Sequence, residues 1–299
     1  MAGDDLKGSV GRRPTAYGSR ADRLVRRVAR RLASVPGIAA VAVGGSWARG
    51  EADRFSDIDF GLYYDPARPP DVAKLRDLAR QLDDRRGAVA VTELGGWGPW
   101  IDGGAWLEIE GRRVDWIYRD LSRVARAIAE ARKGRFSSHY QPGHPHAFHT
   151  HIYMGEVHGA RILHDPKGRL GALRRRTRPY PDALARAVRS AFLWEAGFAL
   201  ETARTSARRG DAFHVCGSLF RSAACLVQVL FAANRRYFVN EKGAVAAAET
   251  FALAPPRFSA RVRRLLTGTG ARPEDLERSL EGMEVLVDEV RDLVVSSTR

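Results

Sequence analysis

Apolar residues follow two different periods along the chain, and the change from one to the other divides it. Before about residue 120, short alternating runs predict strands at 38–43, around 57–60, and at 88–92, 105–110 and 112–118. In the same part, helical spacing predicts helices over 21–33, from Asp71 to about residue 84, and over 122–133. Beyond residue 180 nearly every apolar residue has helical spacing, which predicts long helices over 181–209, 211–237 and 273–297.

This change of period predicts an α+β fold, in which an N-terminal mixed sheet with helices precedes a C-terminal helical bundle. We expect a disordered N-terminus at 1–18, a catalytic domain at 19–133, a His-rich connecting segment at 134–180 and a helical domain at 181–299. Any catalytic chemistry is then expected in a cleft between the two parts, with the helical part as its second wall.

A glycine-rich turn follows the first buried strand. Gly44 and Gly45 allow the backbone to turn tightly from that strand into a short helix, and Ser46 adds a hydroxyl donor there. A helix N-terminus offers unpaired N–H groups and the positive end of the helix dipole, so it can bind a phosphate group. The turn therefore predicts a phosphate-binding position.

Three aspartates lie in or beside strand-like runs after this turn. Asp57 follows Gly45 by twelve residues, and Asp59 shares one strand face with Asp57, about 6.6 Å away between Cα atoms. Asp115 lies in the later run 112–118. Carboxylates in this arrangement suit two Mg²⁺ ions about 3.5–4 Å apart, as in enzymes that act on polyphosphates.

The glycine turn and the Asp-x-Asp pair together resemble the signature of the DNA polymerase beta-type nucleotidyltransferase superfamily. Gly44, Gly45, Ser46, Asp57 and Asp59 match its pattern, and the run from Ser56 to Phe60 has the form of small bacterial members. The resemblance implies a polymerase beta-like palm, Asp57, Asp59 and Asp115 as ligands of two Mg²⁺ ions, and a nucleoside triphosphate as co-substrate. It also implies that Gly44, Gly45, Ser46 and Ser56 contact that triphosphate.

The helical half is similar in layout to antibiotic nucleotidyltransferases. By that similarity, Asn234, Tyr237 and Lys242 occupy triphosphate-binding positions, although an ordinary helix surface is an equal alternative. An ammonium at Lys242 would stabilise the charge that leaves with pyrophosphate. Glu156 is either a general base for the acceptor hydroxyl or a salt-bridge partner.

Charge and cysteine content bear on partners and compartment. The net charge is +6 over residues 1–35, −4 over 36–120 and +12 over 121–299, so the segment with the aspartates is the acidic one. The basic remainder would attract triphosphates or nucleic acid, or is simply a solvated arginine-rich surface. The chain shows no signal peptide and no expected membrane span, and Cys216 and Cys225 face opposite sides of one helix, which together indicate a cytoplasmic protein without a disulfide.

Six of the eight histidines lie between His139 and His158. Their spacing matches no common structural zinc site and no cysteine is near them in sequence, so loop histidines that form hydrogen bonds are favoured over a metal site. A loop around Trp97 and Trp100 is either a mobile loop at the acceptor site or a surface connection.

The leading hypothesis is an Mg²⁺-dependent transfer of a nucleoside monophosphate, AMP from ATP, onto a hydroxyl of a small-molecule acceptor with release of pyrophosphate. One alternative is a toxin- or antitoxin-like nucleotidyltransferase that modifies tRNA or protein; binding to nucleic acid is possible but not favoured. A second alternative is an inactive nucleotide-sensing or interaction protein, which the three intact aspartates disfavour. The chain is expected to be a monomer or a homodimer.

Overall fold

The computed structural model describes residues 18–49, 56–85, 87 and 89–296, without the side chains of residues 18, 19 and 49. The expected disordered segment 1–18 lies almost entirely outside them. The helices are α1 Gly18–Ala33, α2 Gly45–Arg49, α3 Val72–Leu82, α4 Leu121–Arg132, α5 Ile152–Gly159, α6 Arg169–Arg176, α7 Asp182–Arg208, α8 Ala212–Ala233, α9 Ala244–Glu249, α10 Phe258–Thr267 and α11 Pro273–Ser296. The strands are β1 Ile38–Val43, β2 Ile58–Tyr64, β3 Gly104–Ile109, β4 Arg112–Asp120, β5 Ser138–His139, β6 Phe148–His149 and β7 Arg161–His164.

Five strands form a mixed sheet in the order β3-β4-β2-β1-β7. Strands β2 and β4 are parallel, and the other neighbours pair antiparallel. The mixed sheet, its helices and the following helices α7–α11 confirm the predicted α+β fold with a C-terminal helical region.

The two faces of the sheet pack against different parts of the chain. Along β4, Val114, Trp116 and Tyr118 alternate onto the face that is buried with α1 and α3. The opposite face carries small residues of β1, such as Ala40 and Ala42, and packs with α4 to α8 in one continuous core. Polar residues on this second face therefore point toward the helical half.

The segment 134–180, expected only as a connection, contributes to both halves. Strand β7 from this segment pairs with β1 and completes the edge of the sheet. Helix α5 buries Ile152, Tyr153, Met154 and Val157 in the core shared with the helical half. The sequence did not predict either element, because β7 has only four residues and α5 is apolar on all sides and has no helical stripe.

Two further differences concern the apolar runs. The first residue of the strand expected at 88–92 lies outside the described residues, and within 89–92 the structure shows an isolated bridge between Val91 and Ala105. Helix α8 is long and apolar enough to span a membrane by length and composition, but 67% of its most apolar window is buried inside the protein, where it packs against α7 and α11. This burial is typical of a core helix, and Cys225 on α8 is buried while Cys216 is exposed, with neither in a disulfide.

Candidate active site

The predicted carboxylates meet in the middle of the sheet. Asp59 on β2 and Asp115 on β4 are direct Cα partners in the parallel pair, so both side chains point to the face that packs with the helical half. Asp57 immediately precedes β2, and the guanidinium Nε of Arg113 lies 2.9 Å from its carboxylate oxygen Oδ1. The structure thus brings together three side chains that are up to 58 residues apart in the sequence.

The glycine turn lies directly against Asp59. The Gly44 N–H donates to the Asp59 carbonyl at 2.9 Å, and Gly45 begins α2 with a φ of +59°. A Cβ atom added at Gly45 would be 2.8 Å from the Asp59 carboxylate oxygen Oδ2. Glycine is therefore required there both for its backbone conformation and for the close approach of the turn to the carboxylate.

The two serines of the signature flank this turn. Ser46 follows Gly45 in the first turn of α2 and is half-buried. Ser56 directly precedes Asp57, and its carbonyl accepts a hydrogen bond from the indole N–H of Trp47 at 3.3 Å. Both serines thus lie beside the carboxylates, as the sequence predicted; contact with a triphosphate remains a prediction for each.

Negative charge is concentrated at this point of the sheet. Burial, followed by the charge of Asp57, raises the pKa of Asp59 from 3.8 to about 6, while Lys242 opposes this rise. Burial, followed by the charges of Asp59 and Asp57, likewise raises the pKa of Asp115 to about 6, against the opposing charges of Lys242 and Arg113. Like charges this close resist simultaneous ionisation unless cations are nearby.

Lys242 comes from the helical half, yet its ammonium is close enough to lower the pKa of both Asp59 and Asp115. The chain before it lies tight against α5, because a Cβ at Gly155 would be 2.7 Å from the Phe238 carbonyl oxygen. The backbone N–H of Lys242 donates to the Asn240 side-chain oxygen at 3.0 Å, and this hydrogen bond holds the local turn. The charge of Lys242 therefore acts on both carboxylates, and a contact with a triphosphate stays a prediction.

Glu156 forms the salt bridge that the sequence left as an alternative to a base role. The Arg119 guanidinium donates from Nη2 to Oε1 at 2.7 Å and from Nε to Oε2 at 2.9 Å, so both carboxylate oxygens are engaged. The Arg119 side chain is only 5% exposed and is on the same sheet face as Asp115. Both oxygens of Glu156 are thus occupied by Arg119, which leaves Asp115 as the better-placed candidate for a general base.

Two of the predicted triphosphate ligands are engaged elsewhere in the fold. The Asn234 amide donates to the carbonyls of Leu230 and Leu253 and accepts from the Leu253 N–H, which joins the end of α8 to a later loop. The Tyr237 hydroxyl donates to the Thr177 carbonyl at 2.6 Å, and its ring stacks on Tyr180. These contacts give Asn234 and Tyr237 structural roles, and their assignment as phosphate ligands stays a prediction that these contacts do not support.

An exposed tryptophan beside the carboxylates was missed by the sequence analysis. Trp106 on β3 is the direct cross-strand partner of Asp115, so the two side chains lie on the same face. Its ring is stacked on Trp97 with centroids 4.5 Å apart, and Trp106 is 56% exposed. Strands β3 and β4 form a hairpin whose turn contains Gly111. Only the pairing register of this hairpin would have shown from the sequence that Trp106 lies beside Asp115.

The loop around Trp97 and Trp100 is packed rather than isolated. The Gln141 side-chain amide donates to the Trp97 carbonyl at 2.6 Å, and Trp100 stacks on His139 with centroids 4.2 Å apart. The loop therefore joins the Trp97–Trp106 stack near Asp115 to the His-rich segment. Between the two readings left open by the sequence, this position favours a loop at the site over an unrelated surface connection.

Comparison with known proteins matches two segments of the chain to family models, and the first segment contains the glycine turn. Residues 23–94 match the family model of a nucleotidyltransferase domain, and residues 150–242 match a model described as a domain of unknown function, DUF4037. No curated protein sequence matches the chain. Among solved structures, a nucleotidyltransferase-like protein from Exiguobacterium sibiricum 255-15 is similar over 90% of this chain and 73% of that chain, with 13% identity and a TM-score of 0.40.

The match over residues 23–94 contains the glycine turn and the Asp57–Asp59 pair, while the partner carboxylate Asp115 lies beyond it on β4. The matched segment thus includes the signature from which the superfamily was recognised. The match over residues 23–94 supports nucleotidyl transfer as the general class of activity, and it is consistent with the resemblance of this segment to the polymerase beta-type superfamily.

Proposed function

We propose that this protein transfers a nucleoside monophosphate, AMP from ATP, onto a hydroxyl of a small acceptor and releases pyrophosphate. The observation that supports this most strongly is the convergence of Asp57, Asp59 and Asp115 beside the Gly44–Gly45 turn, with Lys242 opposite. A phosphate-binding turn, a carboxylate cluster and a cation are the three parts that polyphosphate transfer needs.

The carboxylates suit two divalent cations. Strand pairing holds Asp59 and Asp115 near each other. Burial raises the pKa of both, and so does neighbouring negative charge, that of Asp57 for Asp59 and those of Asp59 and Asp57 for Asp115; bound cations would neutralise this excess charge. Oxygen ligands of this kind favour Mg²⁺. When bound, Mg²⁺ would supply Lewis-acid stabilisation of charge on the phosphates. Asp57, Asp59 and Asp115 are the residues that would hold it.

The remaining steps belong to side chains and backbone of this chain. The Gly45 and Ser46 end of α2 would orient the triphosphate by N–H and hydroxyl donation, as at other helix N-termini. The oxygen of the acceptor hydroxyl would attack the α-phosphorus, and the bond between the α-phosphorus and pyrophosphate would break. Asp115 would accept the proton that the hydroxyl loses. Lys242 would neutralise charge on the departing pyrophosphate, and the exposed Trp106 ring would stack on a flat or apolar part of the acceptor.

A polymeric acceptor is the second candidate, and one surface feature favours it. A groove of about 1140 Å³ lies along α1 and includes Arg20, Arg23, Arg26, Arg27 and Arg30. An arginine-rich groove of this size would attract a phosphate backbone. None of the three aspartates lines it, so this observation bears on binding and not on chemistry. The three intact aspartates disfavour the inactive-sensor alternative.

The two acceptor classes can be separated in one assay. Purified protein is incubated with Mg²⁺, each α-labelled nucleoside triphosphate, and either a panel of hydroxylated small molecules or a total tRNA and protein fraction. We expect label from ATP to enter a small product, with a rate that falls little between low and moderate salt. Label in tRNA or protein, together with a steep loss of rate with salt, would instead support the polymeric acceptor.

Lys242→Ala is expected to weaken triphosphate binding far more than monophosphate binding. The reason is that Lys242 would contact the β- and γ-phosphates, and loss of a charged hydrogen bond costs about 1.5–3 kcal/mol, or roughly 10- to 150-fold in affinity. Titration calorimetry with ATP and with AMP measures both. Lys133→Ala, on the surface at the end of α4, is the matched control. Equal weakening of both nucleotides would remove Lys242 from the triphosphate site.

A further inference from the structure

Three metal-ligating side chains from separate parts of the chain converge beside the His-rich segment. Cys225 Sγ, on α8, lies 3.5 Å from His146 Nε2, and Glu195 Oε1, on α7, lies 3.7 Å from the same nitrogen. All three ligand atoms lie within 4.8 Å of one another. Cys225 is completely buried, the His146 side chain is 4% exposed and that of Glu195 is 22% exposed.

The Cys225 thiol and the Glu195 carboxylate both lie against the same nitrogen of His146. In a neutral imidazole, one nitrogen either donates or accepts, so His146 Nε2 cannot accept from the Cys225 thiol and also donate to the Glu195 carboxylate. A cation at the centre removes the conflict, because all three atoms then present lone pairs to it. Tetrahedral bonds of about 2.3 Å to sulfur and 2.0 Å to nitrogen place those two atoms about 3.5 Å apart, which is the separation observed.

The surroundings supply what metal ligands commonly have around them. His146 Nδ1 lies 3.2 Å from His149 Nε2, and His149 Nδ1 lies 2.8 Å from the Ser138 hydroxyl. A proton on His146 Nδ1, donated to His149, leaves the Nε2 lone pair directed at Cys225 and Glu195. The Glu195 carboxylate is also held by Arg221 at 2.6 Å, as ligating carboxylates usually are by a neighbouring donor.

We propose that His146 Nε2, Glu195 and Cys225 Sγ form a zinc site, with three protein ligands and a fourth position for water. Zinc binds this mixture of nitrogen, oxygen and sulfur ligands in a tetrahedral arrangement. On binding, the Cys225 S–H bond gives way to a sulfur–zinc bond, and the thiol proton passes to solvent. Burial raises the pKa of this thiol, so without the metal it stays protonated.

The site connects three elements around the wall that carries Lys242. The site joins the loop before β6 to α7 and α8. The backbone N–H of His146 also donates a hydrogen bond to the Glu241 carboxylate at 3.1 Å. Glu241 immediately precedes Lys242. A zinc ion here would therefore stabilise the segment that carries Lys242.

This conclusion revises the expectation drawn from the histidine spacing. The His139–His158 cluster has no cysteine near it in sequence, yet α8 brings in Cys225 from 79 residues beyond His146. Only one histidine of the cluster is a ligand here, and a second, His149, orients it.

Metal content and cobalt spectroscopy test the proposal without an activity assay. The full-length chain is prepared with Asp59→Asn, which removes one ligand of the magnesium site, and is compared with the same chain carrying Cys225→Ser or Cys216→Ser. We expect about one zinc ion per chain in the parent and in the Cys216→Ser control, and affinity at least ~100-fold weaker in Cys225→Ser. Co²⁺ should give a sulfur-to-cobalt charge-transfer band in the parent and in Cys216→Ser, and none in Cys225→Ser.

Circular dichroism shows whether each variant is folded, and Glu195→Gln provides a second variant that preserves shape. We expect zinc to raise the unfolding temperature of the parent and to leave that of Glu195→Gln nearly unchanged. If the parent protein shows no charge-transfer band with Co²⁺, the site does not exist. Equal zinc content in the parent and in folded Cys225→Ser would likewise overturn the proposal, since the metal would then be bound elsewhere.

Discussion

Asp59→Asn is expected to reduce nucleotidyl transfer to less than about a hundredth of the wild-type rate. Asp59 is the central carboxylate of the three, because it pairs with Asp115 across the strands and touches the Gly45 turn. Loss of one metal-ligand charge removes several kcal/mol of transition-state stabilisation, and about 2.7 kcal/mol already corresponds to a hundredfold. Asp57→Asn should have a similar effect, since it removes the neighbouring carboxylate.

The same substitution should stabilise the fold when no divalent cation is present. The folded-state pKa of Asp59 is about 6, above its ordinary value of 3.8, so the native state binds that proton more tightly than the unfolded chain. Metal-free stability therefore falls as the pH rises from about 4 to about 6, and the cost persists above that range. At pH 8, Asp59→Asn should raise the free energy of unfolding by up to about 3 kcal/mol, which is the energy equivalent of the pKa shift of Asp59.

Urea unfolding with a metal chelator measures this gain at pH 5 and pH 8, and Asp77→Asn on the surface of α3 is the matched control. We expect a larger gain at pH 8 than at pH 5 for Asp59→Asn and none for the control. Added Mg²⁺ should stabilise the wild type more than the variant. An Asp59→Asn protein that keeps more than about a hundredth of the rate would exclude Asp59 from the mechanism.

Arg119→Met is expected to destabilise the protein by about 3–5 kcal/mol. The substitution leaves Glu156 without its partner in a partly buried position, and an uncompensated charge of that kind is costly. Glu156 also raises the pKa of Asp59 while Arg119 lowers it, so loss of the arginine adds negative charge around the carboxylate cluster. Glu156 and Arg119 are therefore assigned to the support of the site.

Equilibrium unfolding tests this with two comparisons. Arg119→Met combined with Glu156→Gln should recover much of the lost stability, because the unpaired charge is then absent. Arg80→Ala, which breaks the exposed pair with Asp77, should cost less than about 1 kcal/mol. A single Arg119→Met variant as stable as Arg80→Ala would show that the fork between Arg119 and Glu156 does not support the fold.

Local sequence signals predicted the parts of the site that lie within one strand–turn–strand unit. The glycine turn, Asp57 and Asp59 are close in sequence, and their spacing and apolar flanks specify how they meet. Asp115 was also singled out, because its run 112–118 alternates clearly and the resemblance implies a third carboxylate on a later strand. The three long helices after residue 180 were predicted within a few residues, because long periodic segments give strong signals.

The rest depended on contacts that periodicity does not encode. Trp106 became visible only through its register with Asp115, and Cys225 only through the packing of α8 against the His146 loop. Asn234 and Tyr237 were assigned to triphosphate binding by similarity of layout, but in the structure their side chains donate hydrogen bonds to backbone carbonyls. In the helical half, sequence patterns alone therefore did not show which polar side chains the fold itself uses.

The fate of the α-phosphate tests the central claim most directly. ATP labelled on the α-phosphate and ATP labelled on the γ-phosphate are incubated in parallel with Mg²⁺, the acceptor panel and either the wild type or Asp59→Asn. Nucleotidyl transfer predicts that α-label enters an acceptor product and γ-label leaves as pyrophosphate, with both signals lost in the variant. Entry of γ-label into the acceptor, or α-label transfer that persists in Asp59→Asn, would contradict the account.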